Sequence, residues 1–190
     1  MQCSLFSLGC VFCFAPPHNQ SNLTALRALK IAQRRLRPEV RAKLLNISSA
    51  RSNGNLTPQA WRFTFMDPIT SGNCRVVTVA AKTSSEHPDT VEAFGSFKTE
   101  NGDSSHVISQ NKLLVDSYQA LEKARSTVKL KGVHSAEYRL IQRKGGQEAF
   151  WNISFFAERE EPAFTVRVGA KTGETELMGK EARQLESALS

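Results

Sequence analysis

A chain of 190 residues, 40% hydrophobic and 23% charged, has the make-up of a globular protein of one domain or two small ones. Two halves of roughly 80 residues each would sit near the size where a core is marginal, so they are expected to pack together or share a sheet. The net charge of +7 is concentrated: Arg27, Lys30, Arg34, Arg35, Arg37, Arg41 and Lys43 face Glu39 alone in the stretch 24–45, while Glu86, Asp89, Glu92, Glu100 and Asp103 face Lys98 in the stretch 86–103.

In chain order, Leu5 to Ala15 is apolar but too short to span a bilayer, which takes about 20 residues. It reads as the hydrophobic part of an export signal, with Cys13 and Ala15 as small residues near a cleavage site. The absence of Lys or Arg before Leu5, and Pro16 after the site, depart from that pattern. Residues 1–20 are expected to be a leader, and the protein to be secreted or periplasmic with no transmembrane span in its mature form. Cys3, Cys10 and Cys13 belong to that leader, so Cys74 alone remains and no internal disulfide is expected.

Asn22 or Thr24 can cap a following helix. Leu23, Leu26, Leu29, Ala32 and Leu36 recur at helical spacing, and Arg27, Lys30, Arg34, Arg37 and Arg41 follow steps of 3 and 4 on an adjoining face. This predicts an amphipathic helix with a basic side, stopped or kinked at Pro38, with 40–45 adding another turn. The basic side is a candidate anion-binding face; its ordinary role is a solvated surface. Strands are predicted over 47–51, around Trp61, Phe63 and Phe65, over the return strand with Val77, Val79 and Ala81, and over 91–98. Ser52-Asn53-Gly54-Asn55 is a turn signal, and 101–105 is a polar loop.

The order then repeats. Leu114, Tyr118, Leu121, Ala124 and Val128 form a helical stripe, with Gly132 expected to end the helix. Tyr138, Leu140 and Ile141 mark a strand, and Lys144 to Gln147 turns into the Trp151 strand. Glu158 to Pro162 is a charged hairpin tip, Val166, Val168 and Ala170 alternate in the return strand, and Thr175 to Met178 is a short last strand. Residues 181–189 are a terminal helix or tail. The two tryptophan hairpins are offset by 90 residues at Trp61 and Trp151, and by 89 at Thr83 and Thr172. A duplicated unit follows: a helix, then an antiparallel meander of three or four strands, an α+β fold in which the helix covers the apolar face.

A helix with small and apolar spacing, a break, a short strand, an aromatic-rich strand with Trp, a hairpin, and Ala170-Lys171-Thr172-Gly173-Glu174 together resemble the PepSY domain family. The second unit, from about Ser117 to Glu174, is the fuller match. The first keeps Trp61 and Ala81-Lys82-Thr83 but has Ser84 in the glycine position, and neither unit has the family's usual Pro-Gly after the helix. The resemblance implies units at 21–84 and 113–178, joined by a linker at 85–112 and followed by a tail at 179–190. It also implies the fold shared with β-lactamase inhibitor proteins. Its functional implication is an extracytoplasmic, cofactor-free module that binds another protein, inhibitory or regulatory toward a peptidase or envelope protein.

The chain has no Gly-x-Ser-x-Gly elbow, no phosphate-binding glycine loop and no His-Glu-x-x-His. His18, His87, His106 and His134 are scattered without ligand spacing, and Asp103, Ser105 and His106 are a triad only in name. No enzyme activity, cofactor or metal is therefore expected. Trp61 and Trp151 read as core. Phe150 and Phe156 alternate to the opposite face; if that face is open they form, with Glu158, Arg159 and Glu160, the candidate surface for a protein partner, and otherwise the two units pack there. The alternative is an anionic polymer or membrane surface on the basic helix; nucleic acid is the less expected polymer.

Overall fold

Alternating apolar and polar residues build the strands, because a pleated chain sends successive side chains to opposite faces. In the computed structural model these are β1 (Leu44–Ser49), β2 (Ala60–Met66), β3 (Asn73–Ala81), β4 (Val91–Phe94), β5 (Phe97–Lys98), β6 (Ser135–Gln142), β7 (Ala149–Phe156), β8 (Phe164–Gly169) and β9 (Thr175–Met178). The structure describes residues 23–67, 73–81, 106–142 and 148–178, and the backbone of 91–94 and 97–98. The predicted leader, the turns at 68–72 and 143–147, Asp103 and Ser105, and the tail from 179 lie outside the described residues.

All strands join one antiparallel sheet in the order β4-β3-β2-β1-β6-β7-β8-β9, with β5 also on β3. The seven strands β1–β3 and β6–β9 form its body. The centre is the seam between β1 and β6, where Ile47 faces Leu140 and Ser48 faces Arg139. The side chain of Ser49 reinforces the seam by accepting from Tyr138 N at 3.0 Å.

One face of the sheet is covered by α1 (Ala25–Gln33) and α3 (Ser117–Thr127); the short α2 (Pro38–Arg41) lies against β2. α1 buries Ala25, Ala28, Leu29 and Ala32, and α3 buries Ser117, Ala120, Leu121 and Ala124. The two sets have the same spacing, and their small side chains let each helix backbone lie close to the sheet. Below them Trp61, Phe63, Phe65, Tyr138, Trp151, Ile153 and Phe155 form one continuous core. Trp61 meets Trp151 edge to face at 6.1 Å and Tyr138 at 5.6 Å, an arrangement favoured by the ring quadrupoles.

Each tryptophan also ties its strand to a helix start. Trp61 Nε1 donates to Leu23 O at 2.6 Å, and Trp151 Nε1 donates to Val115 O at 2.9 Å. Both carbonyls belong to the residue before a helix cap, Thr24 or Asp116. The two helix starts then meet. Asp116 Oδ1 accepts from Ser117 N at 2.6 Å and from Leu26 N of α1 at 3.0 Å, while Ser117 Oγ accepts from Ala25 N at 3.0 Å. Gln119 completes the capping box by accepting from Asp116 N at 2.9 Å. One carboxylate thus caps two helices.

Several elements differ from the sequence reading. The first helix stops at Gln33, and Pro38 opens a separate helix at its first position, where the missing N–H costs nothing. Leu114 precedes α3 and is 63% exposed, and Tyr118 is 53% exposed, so the buried stripe runs through Ser117 and Ala120 instead. Gly132 does not end α3, which stops at Thr127; at φ 76° it shapes the turn before β6. Gly173, at φ 73°, holds a left-handed backbone conformation that favours glycine.

Tyr138 is 1% exposed and donates its hydroxyl to Leu56 O at 2.7 Å. Burial pushes its pKa well above the ordinary value of 10.0, because a phenolate would be desolvated there. A pKa raised by folding gives stability that is complete below the unfolded value and declines as pH rises past it. Urea unfolding should therefore show stability falling above about pH 10, with a shallower fall in Tyr138→Phe. An equal slope in the two proteins would refute the assignment.

Candidate partner-binding surface

The helices cover one face only, so the residues that alternate away from the core line the other. Register carries one row across it: Thr78, Arg62, Ser48, Arg139, Asn152, Arg167 and Glu176 stand opposite one another on β3, β2, β1, β6, β7, β8 and β9. The row is positively charged, with three arginines on alternate strands. Arg139 is 59% exposed and has Glu137 at 3.8 Å. Arg167 is 20% exposed, donates to Glu176 at 2.9 Å and reaches Asn152 at 3.4 Å. Ser154 and Thr165 hydrogen-bond to each other at 3.0 Å on the same face.

Phe150 and Phe156 lie on this face as the alternation predicted, but they do not form an open apolar patch. Phe156 is 6% exposed, and the guanidinium of Arg51 lies 4.2 Å from its ring centroid. Arg51 is held there by Ser135 Oγ at 2.8 Å and Ala157 O at 3.2 Å. Phe150 is half-buried under Arg167, 5.6 Å from its centroid. Each ring presents its negative face to a cation. Glu158, Arg159 and Glu160 are exposed at the tip between β7 and β8. They stand beside a groove of ≈ 570 Å³ bounded by Gly132, His134 and Pro162.

The basic residues predicted on one helix face are divided. Arg27 and Lys30 lie exposed on α1, and Arg34 is its C-cap. Arg37 is the N-cap of α2 and comes within 3.8 Å of Asp67, whose side chain is 1% exposed and is bound by Arg75 at 3.1 Å. Arg41 ends α2 and donates to Leu36 O at 3.0 Å. The end of α1 at Gln33, ahead of Pro38, thus replaces a continuous stripe with two groups, and the second group is committed to local contacts.

The sequence reading missed the arginine row, because Arg62, Arg139 and Arg167 share no local pattern and meet only through the β1–β6 seam. It also missed the groove of ≈ 670 Å³ where the two helix starts meet, lined by Leu26, Arg27, Lys30, Leu114, Asp116 and Tyr118. Among the described residues, no three His, Cys, Asp or Glu side chains converge as a metal site. No helix among them is long and apolar enough to cross a membrane. Cys74 is buried and unpaired with another cysteine. Comparison with known protein families, curated proteins and solved structures finds no match to this chain.

Proposed function

We propose that the protein is a non-enzymatic, extracytoplasmic binding module, formed by two tandem PepSY-like units that share a sheet, and that the face opposite the helices docks a protein partner. The observation that carries this reading is the polar, arginine-bearing sheet face with no element of the described chain packed over Arg62 and Arg139, both exposed. Arginine is enriched at the centres of protein interfaces, where its flat guanidinium both stacks and donates several hydrogen bonds. The equal spacing of buried residues in α1 and α3, and the matched tryptophan bonds to the helix starts, support the tandem arrangement. The partner would be a peptidase or an envelope protein, as the PepSY resemblance implies. Binding of an anionic polymer or membrane surface through Arg27, Lys30, Arg34, Arg37 and Arg41 has less support, because Arg37 and Arg41 are engaged locally.

A photo-crosslinking amino acid placed at Thr64 or Thr165 on the sheet face, in the producing cell, should give one discrete protein adduct. Placement at Gln119 or Arg125 on the helix side should not, and Arg139→Glu should abolish the sheet-face adduct. Adducts confined to the helix side would overturn the reading.

A further inference from the structure

Resting on the sheet face as the docking surface, we infer that its partner is an acidic protein segment in the extended polyproline II form, whose carboxylates recur at every third residue and engage Arg62 and Arg139. The three arginines belong to β2, β6 and β8, and one strand separates each from the next: β1, bearing Ser48, and β7, bearing Asn152. Neighbouring strands lie about 4.8 Å apart, which sets the arginine backbones at intervals of roughly 10 Å. An extended chain in the polyproline II form has three residues per turn and rises about 3.1 Å per residue, so every third side chain returns to the same face at nearly the same interval. Ser48 and Asn152 are short, which leaves room for a chain to cross the strands between the guanidinium groups. Each guanidinium is a planar fork suited to a carboxylate.

The same face argues against a single-stranded nucleic acid. Base stacking needs free aromatic faces, whereas the rings of Phe156 and Phe150 are already covered by Arg51 and Arg167. Glu137 and Glu176 lie beside the arginines and would repel a continuous polyanion, while a protein segment with spaced carboxylates can place neutral residues against them. Arg62 and Arg139 are exposed, and the Glu137 contact of Arg139 is long, so these two are the principal donors; Arg167, tied to Glu176, is the anchored end of the row.

The test measures fluorescence anisotropy of the full chain with two labelled peptides of identical composition, one with Glu at every third position and one with its Glu residues clustered. The spaced peptide should bind at least about fivefold tighter, and Arg62→Gln with Arg139→Gln should weaken it roughly tenfold, in line with the loss of two exposed ion pairs. Arg34→Gln with Arg35→Gln removes equal charge from the helix side and should change nothing. Both double variants alter exposed positions, and circular dichroism melting confirms that each is folded. Equal binding of the two peptides, equal loss in both double variants, or tighter binding of an oligothymidine would overturn the inference. If sheet-face crosslinks still capture a partner in that case, the docking surface stands and only the acidic chemistry falls.

Discussion

Asp116→Ala is expected to lower the stability of the protein by about 2–3 kcal/mol, more than an ordinary cap substitution, which costs about 0.5–2 kcal/mol. The reason is that the Asp116 carboxylate serves two helices. It accepts from Ser117 N at the start of α3 and from Leu26 N in the first turn of α1. Both helix starts carry the positive end of a macrodipole, so the charge matters as well as the hydrogen bonds. Asp116→Asn keeps an acceptor oxygen and loses the charge, and it should cost roughly half as much. For a chain of this size the alanine variant should melt roughly 5–10 °C lower. Hydrogen exchange gives the sharper readout. The amides of Leu26 and Ser117 should both lose protection in Asp116→Ala, although they lie in helices far apart in sequence. Loss confined to α3 would show that the bridge to α1 contributes nothing.

Trp61→Ala and Trp151→Ala should each cost about 3–5 kcal/mol, the range for emptying a large aromatic site. That is a large part of the 5–15 kcal/mol that usually separates folded from unfolded chains. Each indole is almost wholly buried and holds a carbonyl at a helix start. Removing it leaves both a cavity and an unsatisfied acceptor. Phenylalanine fills part of the space but cannot donate, so Trp61→Phe and Trp151→Phe should each cost about 2 kcal/mol. Because the two rings touch at 6.1 Å, the Trp→Phe double variant should depart from additivity by about 0.5–1.5 kcal/mol. Urea titrations of the four proteins measure the cycle. Strict additivity would mean that the ring contact carries no energy of its own.

These features were legible in the sequence to different depths. Trp61 and Trp151 could be placed in the core from strand alternation and from their matched offset, because period-two burial is a local property of each hairpin. Leu29, Ala32, Leu121 and Ala124 were placed correctly for the same reason, as helical spacing is local. Leu114 lies outside the helix although its spacing to Tyr118 fits one as well as Leu121 does; the capping box at Asp116 and Gln119, which starts the helix at Ser117, is the decisive signal. The basic stripe divides because α1 already ends at Gln33, ahead of the stop expected at Pro38, and Pro38 with its fixed φ opens α2. The openness of Phe150 and Phe156 depended on whether distant arginines fold over them, and Arg51 and Arg167 do. The arginine row and the shared cap were out of reach, since both depend on contacts between residues 89 to 92 positions apart.

The position of the seam also bears on how the chain emerges from the ribosome. Ser49 and Tyr138, which meet across it, are separated by 89 positions. At synthesis rates of about 5–20 residues per second, β1 waits roughly 5–20 s for the strand that will lie beside it. During that interval the first hairpins exist with their innermost edge uncovered, and an uncovered edge pairs with whatever strand arrives. On a crowded polysome that strand can come from a neighbouring copy of β6, which has the same register information as the chain's own.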